Sequence, residues 1–157
     1  MQKITPFLWF DNNAEEAMDF YMSLFEDAKV LSIARYGEAG PGKKGSVMTA
    51  TFTLNGQEVT LLNGGPMFPH SHAFSFYVVV DTQKEIDELW EKLLAGGGKE
   101  VQCGWLTDRF GVSWQIVPKA FFTLSQDPDT EKAQRVVAAM LKMVKFDIAA
   151  LEKAHAG

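Results

Sequence analysis

The sequence lacks the features that define several protein classes. Its 157 residues include one cysteine, Cys103, so no disulfide can form within the chain, which suits a reducing compartment. No apolar run approaches the roughly 20 residues of a membrane-spanning helix. The start Met1-Gln2-Lys3, followed at once by strand-like residues, does not predict a signal peptide. With a net charge of −5, the chain has no basic surface for nucleic acid or an anionic membrane. We therefore expect a cytoplasmic protein that binds neither.

Motifs of nucleotide and acyl-transfer chemistry are also missing. A phosphate-binding glycine loop follows a strand and opens a helix, whereas Gly96-Gly97-Gly98 closes a predicted helix. No segment has the strand–GxGxG–helix order that is usual for S-adenosylmethionine sites. No Gly-x-Ser-x-Gly elbow and no Ser/His/Asp set occurs either.

The first half of the chain has the pattern of a β-α-β-β-β unit. Strand-like residues occupy positions 4–10, 29–36, 46–54 and 57–63. After the first strand, apolar residues recur at helical spacing: Ala14, Ala17, Met18, Tyr21, Leu24 and Phe25. Asn13 and Glu16 have the spacing of a capping box, which predicts the start of this helix. Asn55-Gly56 predicts a type I′ hairpin turn, because both central residues of that turn need positive φ.

The second half repeats the pattern about seventy residues later. Strands are predicted over residues 74–80, 99–103, 105–110 and 112–117. A helix with a Thr82/Glu85 capping box follows the first of them. Shifting five residues of the first helix by sixty-nine positions (Ala17, Phe20, Tyr21, Leu24 and Phe25) gives the apolar stripe of the second: Ile86, Leu89, Trp90, Leu93 and Leu94. The sequence therefore indicates an internal duplication.

After Pro118 the pattern becomes helical. Asp127-Pro128 has the form of an N-cap followed by proline at the first helical position, and it predicts a helix over about residues 129–144. The apolar residues of this helix keep helical spacing: Ala133, Val136, Val137, Met140, Leu141 and Val144. We expect this stripe to lie near the boundary of a homodimer, because it is too long to leave in water. Asp147 can cap a last short helix.

Together these elements predict an α+β protein with two βαβββ modules and C-terminal helices. We expect the first module at residues 1–66, the second at 67–118 and the helical extension at 119–157, within one structural domain.

Several motifs carry a family resemblance: Pro6-Phe7-Leu8-Trp9-Phe10-Asp11, Asp19-Phe20-Tyr21, Leu62-Asn63-Gly64-Gly65-Pro66, Asp108-Arg109-Phe110-Gly111-Val112-Ser113-Trp114-Gln115 and Leu141-Lys142-Met143. They resemble the PhnB-like branch of the vicinal oxygen chelate superfamily, which includes glyoxalase and bleomycin-resistance proteins. Many members of the branch are labelled 3-demethylubiquinone-9 3-methyltransferase. The resemblance covers nearly the whole chain. It implies that the two modules form a curled mixed sheet around a pocket, and that the protein is a homodimer.

The resemblance also identifies the positions that bind a metal in relatives. In metalloenzymes such as glyoxalase I, four inward-facing His, Gln or Glu side chains hold a divalent ion. The corresponding positions here are Pro6, Thr60, Ser75 and Gln115. Proline offers no side-chain ligand, and neutral hydroxyls and one amide are weak ligands for ions that prefer carboxylates or imidazoles. We therefore expect no metal and no cofactor.

His70 and His72 are a separate metal candidate. On an extended strand both rings would lie on one face, as in half of a zinc site. Pro66 and Pro69 mark this segment as a linker, so a solvated or gating loop is the favoured interpretation.

Six residues are candidates for ligand binding: Thr60, Ser75, Tyr77, Asp108, Arg109 and Gln115. Two-residue alternation aims all but Asp108 and Arg109 at the inward face, where polar side chains bind each other or a ligand. Asp108 and Arg109 could serve as acid–base and anion-holding groups at the rim, or form an ion pair or turn at the strand end. Trp105 could stack on a planar ligand, but aromatic residues on strands more often belong to the core.

Three functions remain open. The favoured one is a binding protein that holds a small, partly aromatic or anionic molecule without a metal. The second is a metal-independent enzyme acting on a small metabolite, with Asp108 or Tyr77 as its acid–base group. The least favoured is an S-adenosylmethionine-dependent methyltransferase, as the family label suggests. Fold alone does not separate them, because one architecture hosts many activities.

Overall fold

The computed structural model describes residues 2–157, and its element order confirms the predicted α+β architecture. The strands are β1 (Phe7–Phe10), β2 (Ala28–Arg35), β3 (Val47–Leu54), β4 (Gln57–Asn63), β5 (Ser75–Val80), β6 (Lys99–Glu100), β7 (Trp105–Thr107) and β8 (Ser113–Pro118). The helices are α1 (Ala14–Ser23), α2 (Gln83–Leu94), α3 (Lys119–Ser125), α4 (Thr130–Met140) and α5 (Ile148–Ala156). The chain forms two compact units, residues 1–70 and 71–157. Within residues 2–157, no helix is long and apolar enough to cross a membrane.

The first unit is an open four-stranded sheet with the strand order β1-β4-β3-β2. β1 runs parallel to β4, and the other neighbours are antiparallel. The predicted hairpin turn between β3 and β4 is confirmed, with φ of 46° at Asn55 and 82° at Gly56. Helix α1 packs on β3 and β4. The fully buried residues Tyr21, Phe52 and Leu61 belong to these three elements, so the core of the unit lies on this one face.

The start of α1 is capped across the sheet, and the predicted Asn13/Glu16 capping box is wrong. The Asn13 side chain makes no cap hydrogen bond. Instead Asn63, the last residue of β4, accepts from the backbone N–H of Ala14 through Oδ1 at 2.8 Å. Asn63 also donates through Nδ2 to the carbonyl of Val47 at 3.1 Å. One amide therefore joins the helix start to two strands, a contact that local spacing along the sequence does not reveal.

The second unit repeats the arrangement with the strand order β5-β8-β7-β6 and α2 packed on β7 and β8. The Thr82/Glu85 capping box is confirmed, because the Thr82 side chain accepts from the Glu85 N–H and Glu85 accepts from the Thr82 N–H. These bonds hold the pKa of Glu85 below its ordinary value; the backbone N–H of Thr82 is the main cause and that of Asp81 the next. Gly96, just after α2, has a φ of 80°, as expected for a glycine that closes a helix.

Two predicted strands of this unit are shorter in the structure. The strand predicted over 99–103 ends at Glu100, because Cys103 and Gly104 turn the chain with φ of 57° and 81°. The strand predicted over 105–110 ends at Thr107, where Asp108 begins a turn. The first strand is likewise shorter than predicted and starts at Phe7, directly after Pro6.

The C-terminal helices belong to the second unit. The backbone N–H groups of Cys103 and Gly104 donate to the carbonyls of Met143 and Val144, both at 2.8 Å. The predicted Asp127 N-cap is wrong, since Asp129 caps α4 by accepting from the N–H groups of residues 131 and 132. The helix also ends earlier than predicted, at Met140. Of its apolar stripe, Val136 is fully buried, whereas Leu141 and Val144 remain 59% and 38% exposed.

The strand registers define how the two modules correspond. Phe7 pairs with Thr60 in the first, and Tyr77 pairs with Gln115 in the second. The first strands therefore match at an offset of seventy residues, one more than the helices. At this offset Ser75 corresponds to Thr5. If Thr60 and Gln115 are equivalent, as the resemblance implies, the residue equivalent to Ser75 is therefore Thr5 and not Pro6.

Candidate functional site

The open face of the second sheet carries a row of three side chains. Trp105 on β7, Gln115 on β8 and Tyr77 on β5 are cross-strand neighbours. They lie opposite the face that buries Trp114 and Ile116. With strands about 4.8 Å apart, the two rings flank the amide across about 10 Å. An aromatic, an amide and a phenol therefore stand side by side on one surface.

A second row, of hydroxyl groups, lies beside the first. It consists of Thr107, Ser113 and Ser75, which pair across the same three strands. Gln115 joins the two rows by donating from Nε2 to the Ser75 Oγ at 2.9 Å. At the other end, Nδ1 of the exposed His72 lies 3.1 Å from the Ser113 Oγ. The predicted residues Ser75, Tyr77 and Gln115 are thus brought together, and His72 borders them.

Tyr77 is the most accessible member of the site. Its side chain is 49% exposed, and one edge of its ring meets Phe122 of α3 at a centroid distance of 6.4 Å. Partial burial raises the pKa of its phenol above the ordinary value. The hydroxyl therefore stays protonated at neutral pH and can donate a hydrogen bond.

Thr60 occupies the matching place in the first module. It lies between Phe7 and Thr51 in a cross-strand row, and its Oγ1 is 2.9 Å from the Thr51 Oγ1. Its own strand neighbours Val59 and Leu61 are fully buried on the opposite face, the one that α1 covers. Thr60 therefore lies on the side-chain face that two-residue alternation predicts.

Asp108 is a structural centre of the β7–β8 turn. The carboxylate is 3% exposed and accepts hydrogen bonds through Oδ1 from the N–H groups of Phe110 and Val112, at 2.8 and 3.1 Å. Its Oδ2 accepts from the Trp114 Nε1 at 2.9 Å. Both oxygens are therefore used within the turn, on the buried face of the sheet. Of the two roles weighed for Asp108, this geometry favours the turn.

Arg109 is exposed at the same turn and leans toward the end of α2. Its guanidinium lies over the Phe110 ring at 4.7 Å, and its Cδ is 2.9 Å from the point where a Cβ on Gly96 would stand. The glycine after α2 therefore makes room for the arginine stem. These contacts are at the turn after β7 and not within the row of Trp105, Gln115 and Tyr77.

The two linker histidines have different neighbours. The His70 ring packs edge-on against Phe10 at 4.8 Å, whereas His72 contacts Ser113. In the part of the chain that the structure describes, residues 2–157, no three His, Cys, Asp or Glu side chains gather in a metal-binding cluster. Thr5, Thr60, Ser75 and Gln115 stand at the positions that the resemblance and the strand registers together assign to the superfamily's metal ligands. Three hydroxyls and an amide do not fit a divalent ion that prefers imidazoles and carboxylates.

Sequence reasoning missed two features. Trp105 was assigned to the core, because its place beside Gln115 depends on the length of the 108–112 turn. The other feature is a cavity in the first unit of about 350 Å³, bordered by the glycine-rich loop at residues 37–45. The signal that could have found it was the clustering of glycines on both sides of the cavity, in that loop and at Gly64-Gly65.

Comparisons with known proteins agree with this geometry. Residues 2–117 match the family described as 3-demethylubiquinone-9 3-methyltransferase. The PhnB protein from Bacillus cereus is 46% identical, with 74% of this chain and 99% of that chain covered and a TM-score of 0.67. Protein PA1353 from Pseudomonas aeruginosa is 23% identical, with coverage of 75% and 98% and a TM-score of 0.61. The fosfomycin resistance protein FosX from Listeria monocytogenes is 15% identical, with coverage of 74% and 93% and a TM-score of 0.51. The comparison with curated proteins gives no match.

The paired βαβββ modules and these similarities define a protein of the vicinal oxygen chelate superfamily. Within it, the chain belongs to the PhnB-like family that bears the 3-demethylubiquinone-9 3-methyltransferase label. The family match ends at residue 117. Helices α3 to α5 lie beyond it, as does the tail motif that contributed to the resemblance, Leu141-Lys142-Met143, which stands between α4 and α5.

Proposed function

We propose that the protein binds a small, partly aromatic molecule on the open face of its second sheet, without a metal ion. The observation that carries this proposal is the row of Trp105, Gln115 and Tyr77, two rings on either side of an amide. Rings spaced in this way offer stacking or edge contacts to a planar ligand. A polar group between them fixes the ligand's orientation.

The hydrogen-bonding groups of the row suit a ligand that carries both an acceptor and a donor. The Gln115 Nε2 is engaged by Ser75, so its Oε1 is the atom turned to a ligand as acceptor. The Tyr77 hydroxyl is a donor at neutral pH, since tyrosine ordinarily titrates well above neutrality and burial raises the pKa of Tyr77 further. Ser75 can pass on the hydrogen bond that it receives, since a hydroxyl both accepts and donates. A phenol, or an aromatic carboxylate that also carries a hydroxyl group, fits this pattern.

The donor set at Thr5, Thr60, Ser75 and Gln115 supports binding without a metal. One FosX structure from Listeria monocytogenes is of a complex with Mn(II) and sulfate. The side chains at the four positions of this chain are neutral and coordinate metal ions weakly. Neutral hydroxyls and an amide favour hydrogen bonding over Lewis-acid chemistry.

Two activities are less favoured. A metal-independent enzyme would use Tyr77 as its acid–base group, because Asp108 is buried and its oxygens already accept three hydrogen bonds. A methyltransferase, the activity in the family label, would need a site for S-adenosylmethionine. The glycine triplet closes α2 and does not open a helix, so it offers no support for that site.

We also propose that the protein is a cytoplasmic homodimer. The single cysteine supports a reducing compartment. Leu141 and Val144 near the end of α4 remain exposed, and they supply apolar surface for a subunit boundary.

Thermal-shift measurements on the full chain test ligand and metal together. The compounds are 4-hydroxybenzoate and related aromatic carboxylates, S-adenosylmethionine, and Zn²⁺, Ni²⁺ and Mn²⁺. We expect stabilisation by an aromatic compound, reaching about 3 kcal/mol at a hundredfold excess over Kd, and unchanged by EDTA. Stabilisation only by a metal ion, or about one tightly bound zinc, nickel or iron per chain in elemental analysis, would contradict the proposal.

Substitutions then separate binding from folding. Gln115→Ala should weaken ligand binding by about 1–3 kcal/mol, because the ligand's buried polar group would lose its hydrogen-bond partner. The variant should lose little folding stability. The matched control is Gln102→Ala at an exposed position of the same module, which should change neither. Arg109→Ala should also leave affinity unchanged, since Arg109 lies against α2. A lowered melting temperature with unaltered affinity in Gln115→Ala would assign Gln115 a structural role only.

A further inference from the structure

The cavity of about 350 Å³ in the first module shares no lining residue with the proposed site. It is bordered by the loop at residues 37–45, by the residues just before α1 and by the end of β4. Its lining includes Asp11, Asn12, Tyr36, Lys43, Asn63 and Gly64. Its volume is in the range of pockets that hold small metabolites.

The loop side of the cavity is anchored by Tyr36. Tyr36 is 6% exposed, and its hydroxyl donates to the Asn63 carbonyl at 2.5 Å. Its backbone N–H donates to the Ser46 carbonyl, and its own carbonyl accepts from the Gly45 N–H at 2.8 Å. Gly42 lies flat on the ring, where a Cβ would come within 2.1 Å of ring carbons. The loop is therefore packed onto a buried ring and forms a built wall.

On the opposite side of the cavity, the polar groups already make hydrogen bonds within the protein. The Asn63 amide is engaged by the Ala14 N–H and the Val47 carbonyl. The Gly65 N–H donates to the Asp11 carbonyl at 3.1 Å, and the Gly65 carbonyl accepts from the Trp9 Nε1 at 2.8 Å. These groups shape the cavity but have little hydrogen-bonding capacity left for a ligand.

Two charged side chains of opposite sign remain, Asp11 and Lys43. Within residues 2–157 neither has a hydrogen-bond or ion-pair partner for its side chain, and they do not pair with each other. The neighbouring Lys44 behaves differently, because it pairs with Glu38. A cavity lined by an acidic and a basic residue that do not pair with each other is complementary to a molecule that carries both charges.

We propose that this cavity binds a small zwitterion, with the ligand's ammonium at Asp11 and its acidic group at Lys43. The first module would then hold a second, polar ligand site, independent of the aromatic site on the second sheet. The probes are L-alanine, β-alanine and 4-aminobutyrate, which separate the two charges by increasing lengths. Butyrate and n-butylamine serve as matched probes with one charge each.

Amide NMR spectra of the ¹⁵N-labelled full chain provide the readout. We expect the zwitterions to shift the Gly42, Gly64 and Gly65 amides and to bind more tightly than either singly charged probe. Asp11→Asn should weaken the zwitterion and n-butylamine by at least about tenfold, as expected for loss of one charge-assisted hydrogen bond, and leave butyrate unaffected. Lys43→Gln should weaken the zwitterion and butyrate by a similar factor and leave n-butylamine unaffected.

Matched controls keep the result interpretable. Asp19→Asn on α1 and Lys29→Gln on β2 remove the same charges at exposed positions outside the cavity, and they should leave the shifts unchanged. No shift of the lining amides with any of the three zwitterions at tens of millimolar overturns the proposal, as do shifts that the controls reduce as much as the cavity variants. Equal binding of n-butylamine and 4-aminobutyrate also overturns it, because Lys43 would then contribute nothing.

Discussion

Replacing Asp108 by alanine should destabilise the protein strongly and leave ligand affinity unchanged. The carboxylate accepts from the N–H groups of Phe110 and Val112 and from the Nε1 of Trp114, which is 1% exposed. Alanine leaves all three donors without their acceptor, and each buried donor without a partner costs about 1–3 kcal/mol. Because Phe110 is only half-buried, water can replace part of the loss, and we expect a total of about 3–5 kcal/mol. For a chain of this length that lowers Tm by roughly 6–20 °C.

Urea unfolding followed by circular dichroism measures this loss, and two further variants identify its origin. Asp108→Asn keeps the shape but turns an amide N–H toward the Trp114 Nε1, so two donors face each other. Trp114→Phe removes that donor. Asp108→Asn should therefore cost about 1 kcal/mol less in the Trp114→Phe background than in the native chain.

A matched control is Asp19→Ala, at an exposed position on α1, which should change stability by no more than about 0.5 kcal/mol. If Asp108→Ala cost less than about 1 kcal/mol while weakening a bound ligand, Asp108 would belong to the site, and its assignment to the turn would be refuted.

Three further outcomes follow from the fold. Asn63→Ala should cost about 0.5–2 kcal/mol in urea unfolding, because the Ala14 N–H loses its cap; no loss would mean that α1 is capped otherwise. Glu85→Gln should lower stability at neutral pH; since the folded-state pKa of Glu85 is depressed, the difference from the native chain should shrink as the pH falls below the ordinary pKa of glutamate, and a constant difference would contradict this. Truncation after Pro128 should cause aggregation or loss of the dimer in light scattering, whereas a soluble, dimeric fragment would contradict the role given to α4.

Local signals in the sequence predicted much of this fold. Residues 57–63 form β4 as predicted, and the turn at Asn55-Gly56 has the expected positive φ values. The Thr82/Glu85 capping box opens α2 as predicted. These features depend on residues within one or two turns of each other, so periodicity and backbone preference determine them. The same periodicity aimed Ser75, Tyr77 and Gln115 at one sheet face, where the structure has them.

Other features depend on the register between distant segments, and only the tertiary structure determined them. Asn63 caps α1 from forty-nine residues away, a partner that spacing around Asn13 could not reveal. Asp108 has the composition of either a ligand-binding acid or a turn residue, and the proximity of Trp114 assigned it to the turn. The sequence by itself therefore determined the elements and the faces of their side chains. Strand pairing and packing determined which donors bind which acceptors. A hydrogen bond depends on the positions of two groups in space, and the local sequence pattern does not specify those positions.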